Sequence, residues 1–238
     1  MSKGLVIIPT YNERENIDNI INSVLAQPVG LDVMIIDDNS PDGTGEIVRH
    51  IAKGDARVHL IERPEKKGLG TAYIEGFKWA IKEGYDYIFE MDADFSHNPD
   101  DLPRICDELK TYDLVIGSRY SNGISVVNWP ISRVMLSFFA NIFARCVTGV
   151  PVMDLTSGFK GFRRKVLQKI NLERIKADGY GFQIEMHFYA YYLGFKVKEI
   201  PIIFVDRRSG RSKMSKQIIF EALLIVLRLG FYRLFRRI

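Results

Sequence analysis

Two aspartates one residue apart, Asp92 and Asp94, follow Tyr87-Ile88-Phe89-Glu90-Met91 and precede Phe95-Ser96-His97-Asn98-Pro99. In an extended chain, residues two apart project the same way, so both carboxylates can face one cation. Oxygen-only ligands suit Mg2+ or Mn2+, which keep several waters and bind phosphates beside one or two carboxylates. A solvated turn with two acids has the same local sequence, so the pair decides nothing alone. Other chemistry-bearing clusters recur along the chain. Thr10-Tyr11-Asn12-Glu13 and Asp37-Asp38-Asn39-Ser40-Pro41-Asp42-Gly43-Thr44 are polar turns, and Pro64-Glu65-Lys66-Lys67-Gly68-Leu69-Gly70-Thr71-Ala72 is a basic, glycine-bearing loop. That loop opens a helix and so offers backbone N–H groups to phosphate, but it matches neither the Walker pattern nor the dinucleotide fingerprint.

The elements that must position these residues alternate in type. Apolar runs at Leu5–Ile8, Asp32–Ile36, Arg57–Glu62, Tyr87 onward into Asp92-Ala93-Asp94, and Leu114–Tyr120 read as buried strands. Between the first two, Ile17, Ile20, Ile21, Val24 and Leu25 have helical spacing. Strand, polar loop and helix in repetition predict right-handed βαβ units and a parallel sheet. Ligands of such sheets bind outside the carboxyl ends of the strands, where Tyr11, Glu13, Asp38, Asp92 and Asp94 all fall. Beyond Arg119, a helix is expected from Trp129 to Val150, with Met135, Phe138, Phe139 and Ile142 on one face and Arg133, Ser137 and Arg145 giving it a polar side. Periodicity does not separate a core helix from a membrane-surface helix. Asp154–Phe162 reads as a loop into an extended segment, Gly179 starts a helix continued by Tyr189 and Tyr192, and Lys198–Phe204 reads as one late strand.

At 238 residues, 47% hydrophobic and 26% charged, the chain has room for one sizeable α/β domain. Cys106 and Cys146 lie in helical patterns and read as small core residues of a reducing compartment, not a disulfide. Met1 leads straight into the first strand, so no signal or transit peptide is expected ahead of it. The net charge of +4 is uneven: Arg207 to Ile238 holds nine Lys/Arg against Glu221 alone. Basic residues among apolar ones call for a membrane surface rather than nucleic acid. The terminal helix, from about Lys216, is interrupted by Glu221, Arg228 and Arg233. A span needs roughly 20 mostly apolar residues, so this helix is expected to lie in the interface with its arginines reaching headgroups.

Val6-Ile7-Ile8-Pro9-Thr10-Tyr11-Asn12-Glu13, the Asp37–Thr44 turn, Gly68-Leu69-Gly70-Thr71-Ala72 and Met91-Asp92-Ala93-Asp94 together resemble the family-2 glycosyltransferases of GT-A fold. Gly117-Ser118-Arg119-Tyr120, Asp154-Leu155-Thr156-Ser157-Gly158-Phe159 and Gly210-Arg211-Ser212-Lys213 narrow the resemblance to dolichyl- or polyprenyl-phosphate mannose synthases. It covers nearly the whole chain, in order. It implies a mostly parallel, Rossmann-like central sheet flanked by helices in a catalytic domain over 1–215, with a C-terminal amphipathic interface helix over 216–238. It implies that Pro9, Tyr11, Glu13 and Asp38 hold the base and ribose of a nucleotide sugar, and that Asp92 and Ala93 also bind this donor. Asp92 and Asp94 then bind the metal, Mg2+ or Mn2+. Arg119, Arg133, Ser137 and Arg207 receive a lipid phosphate, and Asp94 and Arg119 are the catalytic pair. Ser96 stands where some members carry a glutamine ligand, which leaves water to complete the coordination.

The activity so implied is mannosyl transfer from GDP-mannose to a polyprenyl or dolichyl phosphate, at the cytoplasmic face of a membrane and with room for a membrane partner subunit. A lipid monophosphate, with its second pKa near 6, is already a nucleophile at neutral pH and needs no general base. What such a site needs is cations to dock one anion beside another, which accounts for the arginines. Three alternatives stand beside this reading: UDP-glucose as donor, a sugar hydroxyl as acceptor with Glu185 or Asp154 as base, and a non-catalytic nucleotide-sugar-binding subunit.

Overall fold

The computed structural model describes residues 3–175, 177–206 and 216–235, with side chains from Phe220 onward in the last segment. The first half alternates as expected. Strand β1 (Gly4–Thr10), helix α1 (Ile17–Leu25), β2 (Leu31–Asp37), α2 (Thr44–Gly54), β3 (Val58–Glu62), α3 (Leu69–Lys82) and β4 (Tyr87–Glu90) follow one another. Then come α4 (Leu102–Glu108), β5 (Leu114–Ser118), β6 (Val126–Val127), α5 (Ile131–Thr148), β7 (Lys160–Arg163), α6 (Arg164–Lys169), α7 (Gly179–Tyr192), β8 (Val197–Pro201), β9 (Phe204–Val205) and α8 (Lys216–Phe235).

Seven strands form one sheet in the order β3-β2-β1-β4-β7-β5-β8. Both faces are covered, so β1 is apolar from Leu5 to Ile8: Leu5 and Ile7 join the core under α3, α7 and α8, while Val6 and Ile8 join the core under α1 and α4. Among the described strands of this sheet, β7 alone runs antiparallel, pairing Glu90 with Lys160 on β4 and Ile116 with Lys160 on β5. It therefore enters the sheet at the carboxyl edge of its neighbours. That puts the preceding loop, Asp154 to Phe159, on the same edge as Asp92 and Arg119. Strand order reverses between β1, which leads back to β2 and β3, and β4, which leads on to β7 and β5. Asp92 and Asp94 follow β4 directly and so lie at this switch point, the place where open α/β sheets bind ligands.

The late strand and one cysteine differ from expectation. The late strand is two pieces: β8 ends at Pro201, which has no N–H to donate, and β9 leaves the sheet to pair with β6. Cys106 is buried as expected, but Cys146 faces outward on α5, and both thiols are free.

Helix α5 is not a core helix. Its buried residues are Val134, Asn141, Ala144 and Thr148, whereas Met135, Leu136, Phe139, Ile142 and Phe143 are exposed. It is the one described helix long and apolar enough to cross a membrane, with 22% of it buried. Helix α8 packs Ile225, Val226 and Leu229 into the core and turns Leu223, Leu224, Leu227, Phe231 and Leu234 outward beside α5. Its arginines do not point away from the protein. Arg228 binds the buried Glu185, and Arg233 donates to the Cys146 and Val147 carbonyls at 3.3 Å, closing the end of α5 at Gly149.

Candidate active site

The acidic loop is pinned from below. Met91 N–H donates to the Ile7 carbonyl at 3.2 Å, and the buried Tyr73 hydroxyl donates to the Met91 carbonyl at 3.3 Å. Asp92 N–H donates to His97 Nδ1 at 3.3 Å. The His97 ring is stacked on Phe159 and set edge-on to Phe204, with centroids 5.0 and 5.4 Å away. Burial pulls its pKa down to about 4, so it is a neutral acceptor at pH 7. Asp94 Oδ1 accepts the Ser96 N–H at 3.0 Å across Phe95, whose φ of 59° closes the turn, while Ala93 is buried between the two acids. Asp92 remains 35% exposed. Under the loop, Glu90 and Lys160 face each other at 3.6 Å with no exposure, and the ammonium also donates to the Gln183 carbonyl. Burial raises the pKa of Glu90 and lowers that of Lys160 to about 8.

These residues fit a divalent cation. Two carboxylates on one turn leave coordination positions for water and a diphosphate, as Mg2+ and Mn2+ prefer. Ser96 Oγ, buried beside them, has no hydrogen-bond partner among the described residues. No cluster of three or more His, Cys, Asp or Glu that could hold a metal occurs among those residues.

On the β1–β2 side the expected nucleotide residues gather at neighbouring strand ends. Thr10 pairs with Asp37 in register, and its hydroxyl donates to the Asp37 carboxylate at 2.9 Å. Asp38 N–H returns to the Thr10 carbonyl at 3.0 Å, which sets the Asp38 side chain one residue beyond β2. Asp38 is buried and ion-paired to Arg63, which also donates to Thr71 Oγ1 at 2.7 Å and the Gly68 carbonyl at 3.1 Å. Burial raises the Asp38 pKa, and Arg63 offsets part of that rise. Pro9 and Tyr11 are partly exposed, and Lys66 Nζ lies 4.2 Å over the Tyr11 ring. Glu13 is fixed by its N–H to Thr44 Oγ1 at 3.0 Å and by Asn16 Nδ2 at 3.1 Å. The α3 N-terminus already holds a carboxylate, since Gly70 N–H donates to Asp178 Oδ1 at 2.8 Å.

On the β5 side the structure brings Arg119, Arg133 and Ser137 together. Arg119 follows β5 and makes a two-pronged pair with the buried Asp154, Nε to Oδ2 at 2.7 Å and Nη2 to Oδ1 at 2.6 Å, with Nη2 also on Thr156 Oγ1 at 2.7 Å. The next residue, Tyr120, donates its hydroxyl to Ser137 Oγ at 2.8 Å. Arg133, in the first turn of α5, lies 4.0 Å over the Trp129 ring and donates to both oxygens of Asp206 at 3.0 Å. Arg119 lies 5.5 Å from the centre of the same indole. Arg207, expected here as well, lies outside the described residues, as does the Gly210-Arg211-Ser212-Lys213 motif.

A contiguous path joins the two sides. Asp92 bonds His97, His97 packs on Phe204, Phe204 meets Trp129 at 5.3 Å, and Trp129 carries Arg133. Sequence reading missed His97, Arg63, Trp129 and Asp206. Arg63 abuts the basic loop that starts at Pro64, and His97 lies in the turn after the acid pair, but the partners of Arg63 and Asp206 are remote in sequence. The two candidate bases are engaged elsewhere: Asp154 with Arg119, and Glu185 with Arg228 and the Ala177 N–H.

A mostly parallel sheet with an acid pair at its switch point, polar strand-end residues on one flank and cations on the other defines a glycosyltransferase of GT-A type. A family model, glycosyl transferase family 2, matches residues 5–171, and the chain belongs to that family. It is 45% identical over 226 residues to the undecaprenyl-phosphate mannosyltransferase of Micrococcus luteus, covering 95% of this chain and 93% of that one. It is 46% identical over 230 residues to the polyprenol monophosphomannose synthase of Mycolicibacterium smegmatis, covering 96% and 87%. Glucosyl-3-phosphoglycerate synthase from Mycobacterium tuberculosis, solved with phosphoglyceric acid, shares the fold at a TM-score of 0.71 and 20% identity, over 97% of this chain and 80% of that one. The same enzyme solved with Mn2+, uridine diphosphate and glucosyl-3-phosphoglycerate aligns at 0.70 and 20% identity over the same shares.

Proposed function

We propose that this protein transfers a mannosyl residue from GDP-mannose to the phosphate of a polyprenyl, dolichyl-type, monophosphate, with inversion at the anomeric carbon. The observation that carries the reading is the cation group on the β5 flank, Arg119 and Arg133 about one indole ring, joined by packed rings to the acid pair. An acceptor hydroxyl would call for a carboxylate base, and both candidates are tied to arginines. An acceptor phosphate calls for arginines and no base. The names of the M. luteus and M. smegmatis relatives point the same way.

In this reading Pro9, Tyr11, Glu13 and Asp38 hold the base and ribose, with Arg63 keeping Asp38 in place. Asp92 and Asp94 would hold a divalent cation, Mg2+ or Mn2+, which neutralises charge on the departing diphosphate; Ser96 is near enough in sequence to complete the set directly or through water. Arg119, Ser137, Arg133 and Arg207 receive the lipid phosphate, and Arg119, held rigidly by Asp154, orients it for in-line attack. The apolar faces of α5 and α8 rest on the cytoplasmic surface of the membrane that carries the acceptor, alone or against a membrane subunit.

A donor panel tests this. Purified protein is offered GDP-mannose or UDP-glucose, each with a polyprenyl phosphate and with Mg2+, Mn2+ or excess chelator. Label should enter the lipid from GDP-mannose, and only with a divalent cation. Preferential labelling from UDP-glucose would replace the donor assignment, and full labelling in chelator would remove the metal.

A further inference from the structure

The cation offered to the acceptor is not idle. Arg133 Nη1 donates to Oδ1 and Oδ2 of Asp206, both at 3.0 Å, with the two side chains 20% and 26% exposed. The guanidinium is fixed from its face by Trp129 at 4.0 Å. Two further N–H groups, Arg133 Nε and Trp129 Nε1, are shielded from solvent and have no acceptor among the described residues. This cluster thus has one carboxylate seated on it and donors to spare. A ligand that takes Arg133 Nη1 competes with that carboxylate, and it is helped by any additional oxygen that reaches the other donors.

That requirement discriminates by charge. A phosphomonoester carries about −1.5 to −2 at pH 7 and presents three acceptor oxygens. A phosphodiester carries a single negative charge and two such oxygens, so against Arg133 it does no better than the resident carboxylate. A membrane surface is crowded with phosphodiester headgroups, and an uncovered arginine there would be occupied by them.

We propose that Asp206 is a selectivity residue of the acceptor site: it holds Arg133 against monoanionic phosphodiesters and yields it to a phosphomonoester dianion. The proposal rests on the reading of Arg133 as an acceptor-phosphate ligand. Asp206 acts by competition and makes no contact with the reacting atoms.

Asp206→Asn removes the charge at constant shape on a partly exposed side chain, and a thermal melt checks the fold. The acceptor KM for polyprenyl phosphate in neutral detergent should fall roughly two- to fivefold, the worth of an ion pair at this exposure. The kcat and the calorimetric affinity for the nucleotide sugar should not move. Selectivity is read with two soluble probes that avoid surface effects. Methyl phosphate, a monoester, should compete with the acceptor in wild type while dimethyl phosphate does not, and in Asp206→Asn both should compete. Asp206→Glu, which keeps the charge, should restore the wild-type preference. An unchanged or raised acceptor KM in Asp206→Asn, or equal discrimination between the probes in all three proteins, overturns the proposal. Arg133→Ala separates this from the underlying reading. If that variant leaves the acceptor KM unaltered, Arg133 is not an acceptor ligand and both fall; if it raises the KM while Asp206→Asn has no effect, the acceptor site stands and the selectivity role alone fails.

Discussion

Arg119 and Asp154 meet through two hydrogen bonds, at 2.7 and 2.6 Å, with Asp154 fully buried and the Arg119 side chain 7% exposed. A third bond, from the Arg119 N–H to Asp154 Oδ2 at 3.0 Å, ties the same carboxylate to the end of β5. The arginine is therefore a fixed part of the edge that also carries the acid pair. Despite the opposing effect of burial, it holds Asp154 below the ordinary aspartate pKa.

Asp154→Asn should leave Arg119 buried without its counter-charge and destabilise the protein by about 3–5 kcal/mol. The pH dependence has a definite sign. A carboxyl whose folded pKa is depressed contributes stability above its unfolded pKa, about 3.9, and loses it as pH falls through the folded value. Urea titrations of wild type and variant should thus differ by a constant amount above about pH 5, and by less as pH drops below about 4. A gap that widens in acid would contradict the pairing.

Asp94→Asn keeps the hydrogen bond from Ser96, since its side-chain oxygen remains, but removes a charge from the proposed metal pair. Turnover should be lost while the melting temperature stays near that of wild type. Full activity in this variant would remove Asp94 from the metal site.

Arg133→Ala should raise the acceptor KM by about tenfold or more, from the loss of hydrogen bonds to a charged group, with nucleotide-sugar affinity nearly unchanged by calorimetry. Lysine should rescue only in part, because a point charge replaces a planar fork. If donor affinity collapses while acceptor kinetics hold, the two halves of the cleft are assigned in reverse.

The apolar faces of α5 and α8 invite a test that spares the core. Truncating α8 would remove Leu229, which is completely buried, whereas Phe139 and Phe231 are 56% and 47% exposed. Changing both to Ser should leave folding intact and weaken binding to anionic vesicles by tenfold or more, given about 1.5–3 kcal/mol per buried aromatic. Undiminished pelleting with vesicles would dismiss these faces as the membrane contact.

What is legible in the sequence is what local pattern controls. The βα repeats of β1 to β4 can be read from apolar runs and helical spacing, and the strand-end position of Tyr11, Asp38, Asp92 and Asp94 follows. The antiparallel entry of β7 cannot, because a four-residue strand with a glycine inside it carries no sign of its direction. Nor can the partners that define the site: Arg63 with Asp38 across 25 residues, Arg133 with Asp206 across 73. The outward face of α5 is equally invisible to periodicity, since an apolar stripe packs alike against a core or a bilayer. The direction of Arg228 and Arg233 follows from buried Glu185 and the end of α5, neither of which is near them in sequence.

The central claim is transfer from a nucleotide to a lipid phosphate, and the stoichiometry of products tests it most directly. Purified protein with GDP-mannose, a divalent cation and polyprenyl monophosphate as sole acceptor should release GDP and form a mannosyl phosphodiester lipid in equal amounts, of β configuration from the α-linked donor, by phosphorus and proton NMR. GDP released with free mannose, or a lipid product glycosylated other than at phosphate, would contradict it.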